Sequence, residues 1–166
     1  MLRDTSDADL AVLRRWRNHP EVRKASFTTH EIGEAEHRRW WSAVRADPSR
    51  HVLVYEHQEI PSGVVTYSGL GGSGAGPEAW WGFYLDFDGL AERDELLPAW
   101  LGLEKAAIAY AFGPLGLGVL RGEVLEANQA VLQLHRRCGF VESGRYVRKI
   151  DGHDQVVVRV ELGRDA

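Results

Sequence analysis

The residues able to do chemistry concentrate between Arg121 and Gly144, in the stretch R-G-E-V-L-E-A-N-Q-A-V-L-Q-L-H-R-R-C-G-F-V-E-S-G. Imidazole ordinarily titrates near neutral pH, so His135 is the natural proton-transfer group. Glu123 and Glu126 are candidate bases, acting directly or through water. Glu123 is the more informative of the two, because its neighbours Val119, Leu120, Val124 and Leu125 make an otherwise apolar run. Cys138 reads as a small buried apolar residue near a helix end. A Cys138–His135 nucleophile pair is disfavoured, since residues three apart on one helix rarely align for proton transfer. His51, His57 and His153 have no metal-ligand spacing with carboxylates or thiols, so no metal is expected.

The elements that must hold these groups are a strand, a sharp turn, a helix, a glycine stop and a second strand. The apolar run has strand length. Asn128 stands where a helix would start and is a good N-cap, its side-chain oxygen taking an orphan backbone N–H. Val131, Leu132 and Leu134 carry helical spacing, and Arg136 and Arg137 put positive charge at the negative end of the helix dipole. Gly139 is expected as a left-handed cap with Phe140 as its apolar contact. Asn128 and His135 are separated by two helical turns and share one face.

The pattern N-x-x-x-x-x-L-H-x-x-x-G-F-x-x-x-G resembles the third conserved region of the GCN5-related N-acetyltransferases. More narrowly, it is similar to the branch that acetylates ribosomal-protein alanines and nucleotide-linked amino sugars. An early W-R-N-x-x-x-V-R from Trp16 to Arg23, E-H-x-x-W-W from Glu36 to Trp41, and Gly82-Phe83-Tyr84-Leu85-Asp86 occur in the family's order, as does a helix ending Tyr110-Ala111-Phe112. The resemblance implies one α/β (α+β) domain over residues 1–166. It would be a mixed, mostly antiparallel twisted sheet of about six or seven strands with about four helices on its faces. It implies acetyl-CoA as co-substrate and a primary amine as acceptor, attacked directly in a ternary complex. The acceptor would be a small molecule such as a nucleotide-linked amino sugar, or a protein N-terminus.

The resemblance also distributes roles. His135 falls where many relatives carry the tyrosine that protonates the departing thiolate. Phe83, Tyr84 and Leu85 would meet the pantetheine arm through fourth-strand backbone, and Asn128 would bond that arm or act as a helix cap. Trp16, Arg17, Asn18, Trp40 and Trp41 would line the acceptor site, the three indoles having core packing as their other reading. One expected feature is missing. The family's pyrophosphate loop, Q/R-x-x-G-x-G/A, would fall near residues 93–101, which read R-D-E-L-L-P-A-W-L without a glycine. Pro98 removes a backbone donor, and Asp94 and Glu95 are anionic. This departure leaves three readings: CoA held in a shifted or weaker pose, an acyl-carrier-protein donor, or a binding protein that has lost acyl transfer.

The remaining chain reads in sequence. A helix capped by Thr5, Ser6 or Asp7 carries Leu10, Val12, Leu13 and Trp16, and Asn18-His19-Pro20 breaks it. A short helix with a loop is expected in 21–31, then a helix from Glu34 to Ala46. Strands follow at 52–55, 63–67 and 79–87, then a helix at 97–112, a strand at 118–125 and a final hairpin of 141–150 with 155–162 across Asp151-Gly152. Gly69 to Gly74 spells G-x-G-x-x-G, but Pro77 and strand formers follow it, so a hairpin loop is expected and not a dinucleotide site. A net charge of -4 argues against a partner bound through nucleic-acid phosphates. A single cysteine excludes an intrachain disulfide framework. Without a signal pattern or an apolar run of spanning length, no membrane association and a cytoplasmic location are expected. A homodimer is compatible with the sequence.

Overall fold

The computed structural model describes residues 1–71 and 77–166. From Gly72 on, the Gly69–Gly74 run lies outside the described residues. The chain order is β1 (Leu2–Asp4), a 3-10 turn (Asp7–Asp9), α1 (Leu10–Arg17), α2 (Pro20–Lys24), α3 (Glu34–Ala46), β2 (His51–His57), β3 (Ile60–Ser68) and β4 (Glu78–Leu85). Then come α4 (Phe87–Glu92), α5 (Leu96–Phe112), β5 (Val119–Leu125), α6 (Gln129–Arg137), β6 (Val141–Ile150) and β7 (His153–Gly163). One seven-stranded sheet has the order β1-β2-β3-β4-β5-β7-β6. Every neighbouring pair is antiparallel except β4 and β5, which run parallel. The expected mixed, mostly antiparallel architecture is observed.

Side-chain alternation sorts the strands between two cores. Leu53, Tyr55, Val65, Tyr67 and Leu120 face Leu103, Ala107 and Ala111 of α5 and Leu132 of α6. Val52, Val54 and Val64 face Leu13 and Trp16 of α1 and Trp41 and Val44 of α3. Among the described residues there are six α-helices where about four were expected. The helix without a counterpart in the element-by-element reading is α4, whose six residues are too few to display a helical period. Ser6 caps through a reciprocal box with Asp9, but it opens the 3-10 turn ahead of α1 and not α1 itself. Asn128 caps α6 as expected, its Oδ1 accepting from the Val131 N–H at 3.4 Å. Gly139 has φ +95°, the left-handed stop that glycine adopts without a Cβ clash. Among the described residues, no helix is long and apolar enough to cross a membrane.

Candidate active site

The parallel pair is where the sheet opens. β4 and β5 are hydrogen-bonded only from Glu78–Trp81 to Val119–Gly122. Beyond that point β4 stays bound to β3 as far as Leu85, and β5 stays bound to β7 as far as Leu125. Each strand is held on its outer side while the inner ladder is interrupted. Gly122 sits at the fork: a Cβ there would stand 3.2 Å from the Trp81 indole nitrogen and 3.3 Å from Val160 Cγ2. Around the fork lies a cavity of about 1040 Å³, walled by Trp80–Leu85, Gly122–Leu125, the start of α6, His135 and residues near the α1–α2 junction.

His135 closes one end of this cavity. Its residue surface is 3% exposed, and its Nδ1 stands 2.7 Å from Oε1 of Glu104, a fully buried side chain on α5. Trp81, Phe83 and Phe140 surround the imidazole, with ring centroids 5.3, 6.3 and 4.9 Å away. Glu104 Oε2 and the indole nitrogens of Trp81 and Trp100 are buried without a hydrogen-bond partner. The nearby Cys138 thiol is pushed up to about 11, first by burial and then by the Glu104 charge, so it is not a nucleophilic thiolate at neutral pH.

The structure divides the residues singled out from sequence. Arg17, Phe83, Tyr84, Leu85, Glu123, Asn128 and His135 all line the cavity. Glu123 is tied to Arg159 (Nε to Oε1 3.2 Å), its cross-strand neighbour on β7. Glu126 stands outside the lining, beyond the end of β5, in an exposed ion pair with Arg145. Trp16 also stands outside, 3% exposed in the core between α1 and the sheet. Trp41 is packed in the same core and donates its indole N–H to Asp7 at 2.7 Å, and Trp40 packs against that core from its edge. Asn18 uses both ends of its amide on the backbone of Ile32, at 2.9 and 2.7 Å, fixing the loop before α3. These five lie outside the cavity lining, paired or packed elsewhere in the fold.

Sequence reasoning missed Glu104. Its signal was a carboxylate two turns before Ala111 and one turn after Trp100, on a helix side otherwise apolar. Arg17 gains definition. Burial lowers its guanidinium pKa, and Nη2 donates to the Thr28 carbonyl at 3.0 Å while Nη1 is buried without a partner. Tyr84 stands close enough for its phenol to feel Arg17, and burial raises that phenol's pKa.

Open backbone positions on Gly82–Leu85 suit an extended, amide-bearing arm entering between the strands. The link to α5 offers no comparable cradle for phosphates. Ala99 N–H is spent on the Glu95 carbonyl at 2.9 Å, and Pro98 has no N–H. Asp94 is exposed, and Glu95 is held by Arg93 at 3.1 Å. The residues present therefore fit the acyl-pantetheine end of a CoA thioester better than its pyrophosphate.

The sequence model of the acetyltransferase (GNAT) domain matches residues 1–141. The chain belongs to the GNAT acetyltransferase family. Its fold is shared with spermidine N-acetyltransferase from Vibrio cholerae, solved with CoA and spermine, at TM-score 0.81 and 21% identity over 99% of this chain and 95% of that one. A protein solved as a candidate phosphinothricin N-acetyltransferase aligns at TM-score 0.78 and 19% identity over 98% and 97%. No curated protein sequence matches the chain. This GNAT protein is an N-acetyltransferase with acetyl-CoA as co-substrate. Of the three readings left by the glycine-less link, membership supports a CoA donor.

Proposed function

We propose that this GNAT enzyme acetylates the primary amine of a small acceptor that also carries an anionic group, a nucleotide-linked amino sugar being the class that fits best. The observation carrying this reading is the buried, unpartnered Nη1 of Arg17 in the cavity wall. Arg50 adds positive charge to the same lining, while Lys24 is paired with Glu21 at 3.8 Å and Glu123 with Arg159 at 3.2 Å. The lining cations without a carboxylate partner among the described residues, Arg17 and Arg50, would repel a polyamine such as the spermine bound by the Vibrio protein. A diphosphate or carboxylate would give Arg17 its missing acceptor.

When bound, acetyl-CoA supplies an activated acyl carbon. The protein's own contributions are positioning between the split strands, an acceptor anchor at Arg17 and a proton-transfer group at His135. Asn128 fixes the start of the helix that carries His135.

Initial rates with a nucleotide-linked amino sugar, the free amino sugar, spermine and an N-terminal peptide test the reading. The nucleotide-linked acceptor is expected to have the highest kcat/KM. Arg17→Gln removes a charge-assisted hydrogen bond of about 1.5–3 kcal/mol, a loss of roughly 10- to 150-fold in kcat/KM felt mainly in KM. The free sugar should lose far less. Equal losses on charged and uncharged acceptors, or a preference for spermine or the peptide, would overturn it.

A further inference from the structure

One buried ionisable group has no part in the roles above. Glu104 lies on a helix side that otherwise carries alanine and leucine, at 0% exposure, 31 residues before the histidine it meets. Burying a carboxylate is costly unless a specific partner compensates. The hydrogen bond recorded for its side chain among the described residues goes to His135, and that histidine lines the cavity.

We infer that Glu104 is a positioning residue that, with His135, forms a one-proton shuttle between the acceptor amine and the departing sulfur. This rests on the acetyl-transfer reading of the cavity. An ionised carboxylate can only accept, so the proton of neutral His135 is fixed on Nδ1. Nε2, on the other side of the ring, is left with its lone pair and no protein partner among the described residues. The packed rings of Trp81 and Phe140 hold the imidazole plane in place.

With the acceptor bound as its neutral amine, the step balances with this pair alone. The amine nitrogen forms a bond to the acyl carbon as the carbon–sulfur bond breaks, and the electron pair of that bond leaves on sulfur. The amine loses one proton to Nε2, and Nε2 returns one proton to sulfur. During the interval His135 is an imidazolium, and the Glu104 charge at 2.7 Å stabilises it. The histidine–carboxylate pair of hydrolase triads follows the same logic of tautomer and charge. Neither Glu123, paired with Arg159, nor Glu126, outside the cavity, is then needed as base.

The test joins nitrogen NMR of histidine-labelled protein with steady-state kinetics on wild type, Glu104→Gln and Glu104→Leu. Neutral His135 in wild type is expected to carry its proton on Nδ1. Glu104→Leu should move it to Nε2, the intrinsically favoured site, and lower kcat about 100-fold with KM for both substrates within about twofold. Glu104→Gln keeps the shape and removes the charge, so it controls for packing loss and should still lower kcat about 10-fold. An Nε2-protonated wild type would overturn the inference. So would variants that retain kcat within about threefold, or that lose activity only through KM. The NMR arm does not depend on turnover. A wild type with the expected tautomer and no transferase activity would refute the acetyl-transfer reading while sustaining the positioning of His135.

Discussion

Asp9→Asn should cost stability at neutral pH and cost progressively less in acid. Asp9 is 9% exposed at the end of the 3-10 turn, where its carboxylate accepts from Arg3 at 2.8 and 3.0 Å and from the backbone N–H and hydroxyl of Ser6 at 2.8 and 3.0 Å. The Arg3 hydrogen bonds, opposed by burial and aided by Ser6, bring its pKa from 3.8 down to about 2. A depression of that size corresponds to about 2.4 kcal/mol at 1.36 kcal/mol per unit. Arg3 keeps a third of its side chain exposed, so solvent screening reduces this to about 1–2 kcal/mol. Because the folded pKa lies below the unfolded one, the contribution is complete above roughly pH 4. It disappears as pH falls through about 2. Urea melts at pH 7, 4 and 2.5 should show wild type and variant converging toward acid, with an unchanged m-value. Arg3 retains Glu56 at 2.7 Å, so β1 stays attached in the variant. A difference that stays constant across the series, or one below about 0.3 kcal/mol at pH 7, would refute the linkage.

Three further outcomes concern the site. His135→Phe preserves ring packing against Trp81 and Phe140 but removes the proton-transfer group, so kcat should fall about 100- to 10,000-fold with little change in KM, as read from initial rates. Gly63→Ala would place a Cβ 2.8 Å from the Tyr84 carbonyl oxygen and 3.0 Å from the Leu85 and Leu103 side chains. Backbone cannot retreat easily, so thermal melts should show a loss of about 1–3 kcal/mol, and KM for acetyl-CoA should rise as the cavity end of β4 shifts. Acetyl-pantetheine should support transfer with kcat/KM within about tenfold of acetyl-CoA, since a charge-assisted phosphate contact of roughly 1.5–3 kcal/mol has no glycine cradle here. A thousandfold preference for the full CoA thioester in the same assay would show that the phosphates are firmly held.

What was legible in the sequence was what is decided locally. Asn128, Val131 and Gly139 announce a helix because a cap, an apolar period and a left-handed stop all act within one turn of their own positions. α3 also starts and ends as read, although Gly33 gives it no side-chain cap and Asp47 leaves it in extended backbone. The site was harder because its pairings are long-range. Glu123 and Glu126 look alike as letters. Strand register sets one opposite Arg159 at the cavity edge, and the end of β5 sends the other out to Arg145. The tryptophans of α1 and α3 announce burial by type, but side-chain chemistry does not say whether a buried indole faces a core or a cavity. Glu104 was the least visible. A lone carboxylate in an apolar helix ordinarily marks a polar edge, and only the folded contact with His135 brings it next to the cavity lining.

The two ends of the cavity make different physical demands. In the proposed function, acceptor recognition centres on Arg17, whose Nη1 is desolvated and unspent, an arrangement that costs energy until an anion arrives. The start of α5 offers the donor no glycine cradle, since proline, an exposed aspartate and an already bonded Ala99 N–H stand there. The interrupted ladder between β4 and β5 is the other place for donor recognition, since beyond Trp81 the β5 side of β4 has no strand partner while its other side stays on β3. The proposed function therefore has the donor read by the shape and amides of its arm and the acceptor by charge. The place that would bring amine and thioester together is the strand fork, where His135 lines the cavity with Glu104 buried behind it.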